Sequence, residues 1–222
     1  MMDMEDIGEI LEVRKNFYAF LYRMYLEEPP KEFLYDIACE KIDIPYLPSL
    51  DYEISEISEG FEILKAYGEG NIKNLDELYE KLVDEYTHLF IGPYKLPVQP
   101  YESMWIANMM GGEPLLNVKE VYRKAGISKS KNYPEPEDHI AFELRFMHHL
   151  CEEVSSESKD VEQILDSIGF QKTFLNDHLL KWIPNFCDAL YNYEKSDFYK
   201  GIAKITKGFI SMDLKMVEEI VG

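Results

Sequence analysis

The apolar residues of this chain recur at the spacing of an α-helix from one end of the sequence to the other. Near the N-terminus, for example, Ile7, Ile10 and Leu11 fall on one face of a helix. Proline and glycine residues interrupt the pattern, as at Pro29 and Pro30, and divide it into about ten segments. No stretch shows a convincing alternation of apolar and polar residues, which would predict a β-strand. The sequence therefore predicts an all-α fold, a single globular multi-helix bundle of about ten helices.

The length of the chain fits one folded unit. It has 222 residues, 46% of them hydrophobic, which is enough to bury a substantial core. We therefore predict a single all-helical domain over residues 1–222. The polar run from Ser128 to Asn132 is the most loop-like part of the sequence, so a hinge is expected at 128–135. Such a hinge permits either a monomer or a domain-swapped dimer, and the sequence leaves both states open.

The charge balance narrows the class of partner. The chain carries 42 acidic and 23 basic residues, a formal net charge of −19. Nucleic acids and anionic membrane surfaces are bound by clustered lysine and arginine, so neither is expected as a partner. A cationic partner is compatible with this charge, because an acidic field raises its rate of encounter.

Three further features predict a cytoplasmic protein. Cys39, Cys151 and Cys187 form an odd set without a C-x-x-C pair, which is typical of free thiols in a reducing compartment. The N-terminal residues are acidic and lack the basic and then apolar plan of a secretory signal. No apolar run approaches the roughly 18 residues that span a bilayer, so no integral membrane segment is expected.

One segment, Pro134 to Leu150, combines a helix start with a cluster of titratable side chains. Pro136 suits the first turn of a helix, and the carboxylates that follow it favour the positive end of the helix dipole. His139 and Glu143 are four residues apart and share a face. Spacing alone favours an ordinary helix start, in which Asp138 satisfies the helix terminus and His139 pairs with Glu143.

Enzymatic alternatives find less support in the sequence. A di-iron bundle needs two Glu-x-x-His motifs, and only Glu85 to His88 supplies one. Neither of the two glycine-rich phosphate-binding motifs occurs. We therefore expect no catalytic residue, no metal and no other cofactor. A helical metal-dependent hydrolase that uses Asp138, His139 and Glu143 stays open as a less favoured alternative.

Three short blocks resemble the signatures of one family, in matching order and spacing. Residues 135–139 read E-P-E-D-H, residues 86–93 read Y-x-x-L-F-x-G-P, and residues 100–103 read P-Y-E-S. Together they resemble the TorD/DmsD-type redox-enzyme maturation chaperones. The third block departs from the family's P-P-W-x-S turn, because Gln99 replaces the first proline and Tyr101 replaces the tryptophan.

The resemblance implies a TorD-like chaperone without enzymatic activity. Such a protein binds the twin-arginine signal peptide, the apo-form of a molybdopterin oxidoreductase, or both, and holds the precursor for cofactor insertion before export. A nitrate-reductase delta-type assembly factor, which serves an enzyme without an exported signal, is the alternative within the family.

A groove with apolar walls and an acidic rim would suit a peptide that joins paired arginines to an apolar run. We expect alanine at both Asp138 and His139 to weaken peptide binding and to leave thermal unfolding nearly unchanged. The residues predicted to bind the peptide are Leu89, Phe90, Tyr101, Glu102, Trp105, Glu135, Asp138, His139 and Glu143.

Overall fold

Helices are the regular secondary structure of the residues that the structure describes. The computed structural model describes residues 4–39, 41, 51–69, 74–92, 95–130, 133–155 and 160–222. In these ranges the all-α prediction is confirmed, and the β-type pairing found there is an isolated bridge between Tyr101 and His139. The helices are α1 (Met4–Leu26), α2 (Lys31–Ala38), α3 (Asp51–Gly68), α4 (Leu75–Tyr86), α5 (Glu102–Ile106), α6 (Gly112–Lys124), α7 (Ile140–Ser155), α8 (Val161–Phe174), α9 (Leu180–Tyr191) and α10 (Asp197–Val221).

Two π-helical turns extend this set. The turn Thr87–Ile91 continues α4, and the turn Leu175–Leu179 joins α8 to α9 without a loop. None of the helices in the described ranges is long and apolar enough to cross a membrane.

Helix α10 lies at the centre of the fold and packs against α1, α3, α8 and α9. Its contact with α3 is close because a glycine lies on each side. A methyl group added to Gly60 would come within 2.7 Å of the backbone oxygen of Gly201. The reverse addition at Gly201 would come within 2.9 Å of the Gly60 oxygen. These two positions therefore let the two backbones approach each other directly.

A buried ion pair joins α1 to α10. The Arg14 Nε donates to Asp213 Oδ1 at 2.5 Å, and the Tyr18 hydroxyl donates to Asp213 Oδ2 at 2.5 Å. All three side chains are fully buried. A buried pair of this kind contributes modest net stability, but the loss of one partner is costly because a charge is left without compensation. The pair therefore fixes how the first and last helices pack.

The start of α7 differs from the prediction. The helix begins at Ile140, whereas the sequence pattern placed its start at Pro136. The reason is a tertiary contact: Tyr101 and His139 form an antiparallel bridge, and the Ile140 N–H donates to the Pro100 oxygen at 2.9 Å. This pairing holds residues 136–139 outside the helix.

The single-domain prediction and the hinge at 128–135 stay predictions. The centre of that hinge, residues 131–132, lies outside the described residues. The choice between a monomer and a domain-swapped dimer likewise stays open.

Candidate functional site

Two of the three sequence blocks meet at one place, which we call the Tyr101–His139 junction. It consists of residues 100–103 and 138–140, which run antiparallel. The Glu102 N–H donates to the backbone oxygen of Asp138 at 2.9 Å, next to the bridge between Tyr101 and His139. Backbone hydrogen bonds therefore fix the start of α5 against the start of α7.

The Asp138 carboxylate holds the start of α5. Its Oδ2 accepts a hydrogen bond from the Ser103 N–H at 3.0 Å, and the side chain is fully buried. The first N–H groups of a helix lack partners within the helix, and a short acidic side chain supplies one. Its second oxygen, Oδ1, is buried without a hydrogen-bond partner among the described residues. The role of Asp138 in the structure is thus to anchor a neighbouring helix rather than its own.

The His139 imidazole holds the start of α7. Its Nδ1 accepts from the Ala141 N–H at 3.1 Å, and its ring meets the edge of the Tyr101 ring at 5.2 Å between centroids. Burial lowers the pKa of His139 to about 3, so the imidazole is neutral at physiological pH. Spacing alone suggested that His139 pairs with Glu143, but Glu143 has another partner.

Two carboxyl groups meet beneath the junction. The Trp182 Nε1 donates to Glu143 Oε2 at 3.0 Å, and His178 Nδ1 lies 2.9 Å from Glu102 Oε2. Burial raises the pKa of Glu143 well above its ordinary value, and the charge of Glu102 raises it further. The shift favours the protonated form of Glu143. Its second oxygen, Oε1, is buried without a hydrogen-bond partner among the described residues. Glu143, Trp182, Glu102 and His178 therefore form a buried polar network beneath the junction.

The remaining predicted residues divide into two groups. The Tyr101 hydroxyl donates to Glu135 Oε2 at 2.6 Å, and Trp105 Nε1 donates to the Gln99 oxygen at 2.7 Å. These side chains belong to the junction or border it. Leu89 and Phe90 are instead buried in the core, where the Phe90 ring packs against tyrosine rings of α1, α4 and α10. The structure therefore gathers seven of the nine predicted residues and places two apart from them.

The burial of Asp138 and His139 changes the expectation that alanine at both positions leaves thermal unfolding nearly unchanged. Their exposed fractions are 0% and 4%, and each side chain accepts a backbone N–H. Alanine at either position would leave a buried donor without a partner, which costs about 1–3 kcal/mol. The double alanine variant is therefore expected to lose stability, and a binding defect in it would not identify a contact with the peptide.

A cavity of about 800 Å³ opens beside the junction, and we call it the acidic groove. Glu102 and His178 reach it from the buried network. Its rim bears exposed apolar side chains, and Ile106 and Met109 are 47% and 60% exposed. The groove lies between the end of α5, helix α6 and the π-helical turn Leu175–Leu179. Its lining is Glu102, Ile106, Ala107, Met109, Gly112, Glu113, Pro114, Asn117, Glu120, Val121, Lys124, Asp177, His178 and Lys181.

The groove is acidic on balance. It presents Glu102, Glu113, Glu120 and Asp177 against two lysines and one histidine. Two of these acids have partners, because Glu120 pairs with Arg123 and Asp177 pairs with Lys181. The Glu113 carboxylate is exposed and forms no ion pair with a described residue.

Most of the groove was missed by sequence reasoning. Of the nine predicted residues only Glu102 lines it. The exposed pair Met109 and Met110, next to two glycines, was a usable signal for an apolar rim. Asp177 and His178 carried no signal, because they lie more than 70 residues from Glu102 in sequence. Among the described residues, no group of three or more histidine, cysteine or acidic side chains could hold a metal ion.

Comparison with known proteins shows the family of this chain. The chain belongs to the nitrate reductase delta subunit family, whose model matches residues 55–188. It is 22% identical over 218 residues to the chaperone protein TorD of Vibrio cholerae serotype O1, covering 98% of this chain and 97% of that relative. It is 24% identical over 222 residues to the chaperone protein TorD of Shewanella pealeana, covering 96% and 93%.

A solved structure adds one further similarity. It is described as a redox enzyme maturation protein from Archaeoglobus fulgidus, and it is 24% identical to this chain. The match covers 77% of this chain and 99% of that one, with a TM-score of 0.43. The resemblance to TorD-type redox-enzyme maturation chaperones, first seen in three short blocks, is confirmed by the family model and the curated relatives.

Proposed function

We propose that this protein is a cytoplasmic maturation chaperone that binds the twin-arginine signal peptide of a molybdopterin oxidoreductase. It would hold the apo-enzyme precursor until the cofactor is inserted and would catalyse no covalent step. The observation that carries the proposal is the acidic groove, because it combines an excess of acidic side chains with an exposed apolar rim directly beside the Tyr101–His139 junction. A leader that joins paired arginines to an apolar run has the complementary composition.

The groove suggests a division of roles among its residues. Glu113 and Asp177 are exposed carboxylates at the rim, where a guanidinium can pair with two oxygens at once. Met109 and Ile106 offer apolar surface, and methionine adapts to varied apolar partners. Behind them, Asp138, His139 and Glu143 position the two helices that frame the groove, so we assign them a supporting role rather than direct contact.

Calorimetric titration with a synthetic leader tests the proposal. The peptide carries two arginines followed by an apolar run of about ten residues. Its matched control carries two lysines, which keep the charge but lose the planar fork. We expect the arginine peptide to bind more tightly, and Glu113→Gln with Asp177→Asn to weaken its binding by roughly tenfold or more. Glu77→Gln with Glu80→Gln removes two exposed acids of α4 outside the groove, and this matched control should leave binding unchanged.

Two results would count against this function. Equal binding to wild type and to the groove variant would mean that the groove is not the binding site. Absence of binding to any leader, together with tight association with a folded client, would favour a nitrate-reductase delta-type assembly factor. That second candidate is supported by the description of the family whose model matches residues 55–188.

A further inference from the structure

A second cavity, of about 700 Å³, lies on the other side of the C-terminal half of α6. It is walled by aromatic rings from α1, α6 and α7 and bordered on one side by residues 126–130. We call it the aromatic–basic pocket. Its lining is Tyr22, Tyr122, Gly126, Ile127, Ser128, Lys129, Ser130, Tyr133, Phe142, Arg145, Phe146, His148, His149 and Glu152.

Aromatic faces hold the cations of this pocket. The Arg145 guanidinium lies 5.9 Å from the centre of the Tyr22 ring and 5.9 Å from that of Tyr133. The Lys129 ammonium lies 5.5 Å from the centre of the Phe142 ring. Cation–π contacts orient a cation without neutralising its charge. Arg145 forms no ion pair with a described residue, so its charge remains available to a ligand.

The two histidines of the pocket have only weakly placed acidic neighbours. His148 lies 3.4 Å from Glu152, and His149 lies 3.7 Å from Glu153, both across one turn of α7. Glu152 is the only acidic side chain in the lining, against one arginine, one lysine and two histidines. In a chain of net charge −19 this reversal of local charge is a specific feature. It also contrasts with the acidic groove on the opposite side of α6.

We propose that the aromatic–basic pocket binds an acidic peptide segment whose carboxylates alternate with aromatic or aliphatic side chains. Arg145 and His149 are four residues apart on α7, which places them about 6 Å apart along the helix axis. Side chains on one face of an extended peptide repeat about every 6.6 Å, so one carboxylate can meet the Arg145 guanidinium while a second meets the His149 imidazole. The intervening apolar side chains then enter between Tyr22, Tyr133 and Phe142. A single phosphate group is too small to meet both side chains.

The test uses a short labelled peptide that alternates glutamate and phenylalanine, with fluorescence anisotropy at low ionic strength. A peptide with glutamine in place of glutamate is the matched control and should bind weakly. We expect Arg145→Glu to reduce the affinity roughly tenfold or more, because it replaces attraction with like-charge repulsion. Lys195→Glu makes the same change in net charge at an exposed position outside both cavities, and it should reduce the affinity far less.

Specific outcomes would overturn the proposal. Equal loss in the Arg145 and Lys195 variants would mean that only the overall field attracts the peptide. Undiminished binding in Arg145→Glu, or full competition by inorganic phosphate, would rule out the two-point contact. Capture of phosphatidylglycerol vesicles through Arg145, without peptide binding, would assign the pocket to a lipid surface. Should Arg145→Glu lose its helical circular dichroism, Arg145→Gln gives the same comparison. Binding of an arginine leader is a separate measurement, so this proposal and the proposed function can fail independently.

Discussion

The protonation state of Glu143 determines how the network beneath the Tyr101–His139 junction responds to substitution. The carboxyl group is fully buried, accepts from Trp182 Nε1 at 3.0 Å and has a strongly raised pKa. Glutamine keeps the acceptor for the indole and, like the protonated acid, carries no charge. We therefore expect Glu143→Gln to change the free energy of unfolding at pH 5 by less than about 1 kcal/mol.

Alanine at the same position should be much more costly. It leaves the buried Trp182 N–H without an acceptor, which costs about 1–3 kcal/mol. It also opens a cavity in the centre of the fold, and large-to-small substitutions of buried side chains cost about 2–5 kcal/mol in all. We expect Glu143→Ala to lose an amount within that range in urea titrations, while its glutamine counterpart stays close to wild type.

The pH dependence of unfolding provides the sharper comparison. Glu143 has a higher pKa in the folded protein than in the unfolded chain. Above pH 4.5 the folded state therefore binds more protons at this group, so the contribution of Glu143 to stability falls as pH rises, by at most about 1.4 kcal/mol per pH unit. Glu143→Gln has no proton to lose. The difference in stability between this variant and the wild type should therefore grow in favour of glutamine between pH 5 and 8.

The control for this experiment is Glu162→Gln, an exposed acid near the start of α8. Its difference from wild type should show much less dependence on pH over the same range. A constant difference between wild type and Glu143→Gln would refute the reasoning, because it would mean that Glu143 is ionised in the folded protein.

Three other sets of buried contacts give further predictions. Asp213→Ala leaves the Arg14 guanidinium buried without its partner, so the free energy of unfolding in urea should fall by about 3–5 kcal/mol. Gly60→Ala forces a methyl group against α10 and should lower the melting temperature, whereas Gly169→Ala has open space and should raise it. As pH falls below 6.5, the unfolded chain protonates His139 but the folded protein does not, so the contribution of His139 to stability should fall. His139→Asn should reduce this dependence of the free energy of unfolding on pH, measured in urea titrations at successive pH values.

Each of these predictions has a contradicting outcome. An Asp213 variant as stable as wild type would mean that water reaches the guanidinium. Equal effects of the two glycine substitutions would mean that the close approach of α3 and α10 does not limit packing. Parallel pH profiles for wild type and His139→Asn would mean that the folded imidazole can take up a proton.

Local patterns in the sequence were sufficient for most of the helices. Ser196, for example, precedes α10 and accepts the Tyr199 N–H, and the apolar face of that helix continues without interruption. The start of α7 could not be read locally. Pro136, Glu137 and Asp138 would suit the first turn of an isolated helix. In the folded protein the bridge between Tyr101 and His139 holds them outside α7.

The candidate site depends more on tertiary structure than the helices do. Short blocks identified the junction, because its two segments carry recognisable residues at fixed spacing. The partner of Glu102 could not be predicted, since His178 reaches it only through the π-helical turn that joins α8 to α9. Leu89 and Phe90 were predicted to bind the peptide but do not lie at the junction. Their position on an apolar helical face is equally consistent with a groove and with a core, and the structure places both in the core.

Co-purification tests the central claim most directly. The chaperone is expressed with a full-length molybdopterin oxidoreductase precursor or with the same enzyme lacking its leader, each with wild-type protein or with the Glu113→Gln and Asp177→Asn variant. The proposed function predicts that the full-length precursor is recovered with the wild type, and that removing the leader or neutralising the groove sharply reduces the recovery. Equal recovery of the leaderless enzyme, unaffected by the groove variant, would contradict it.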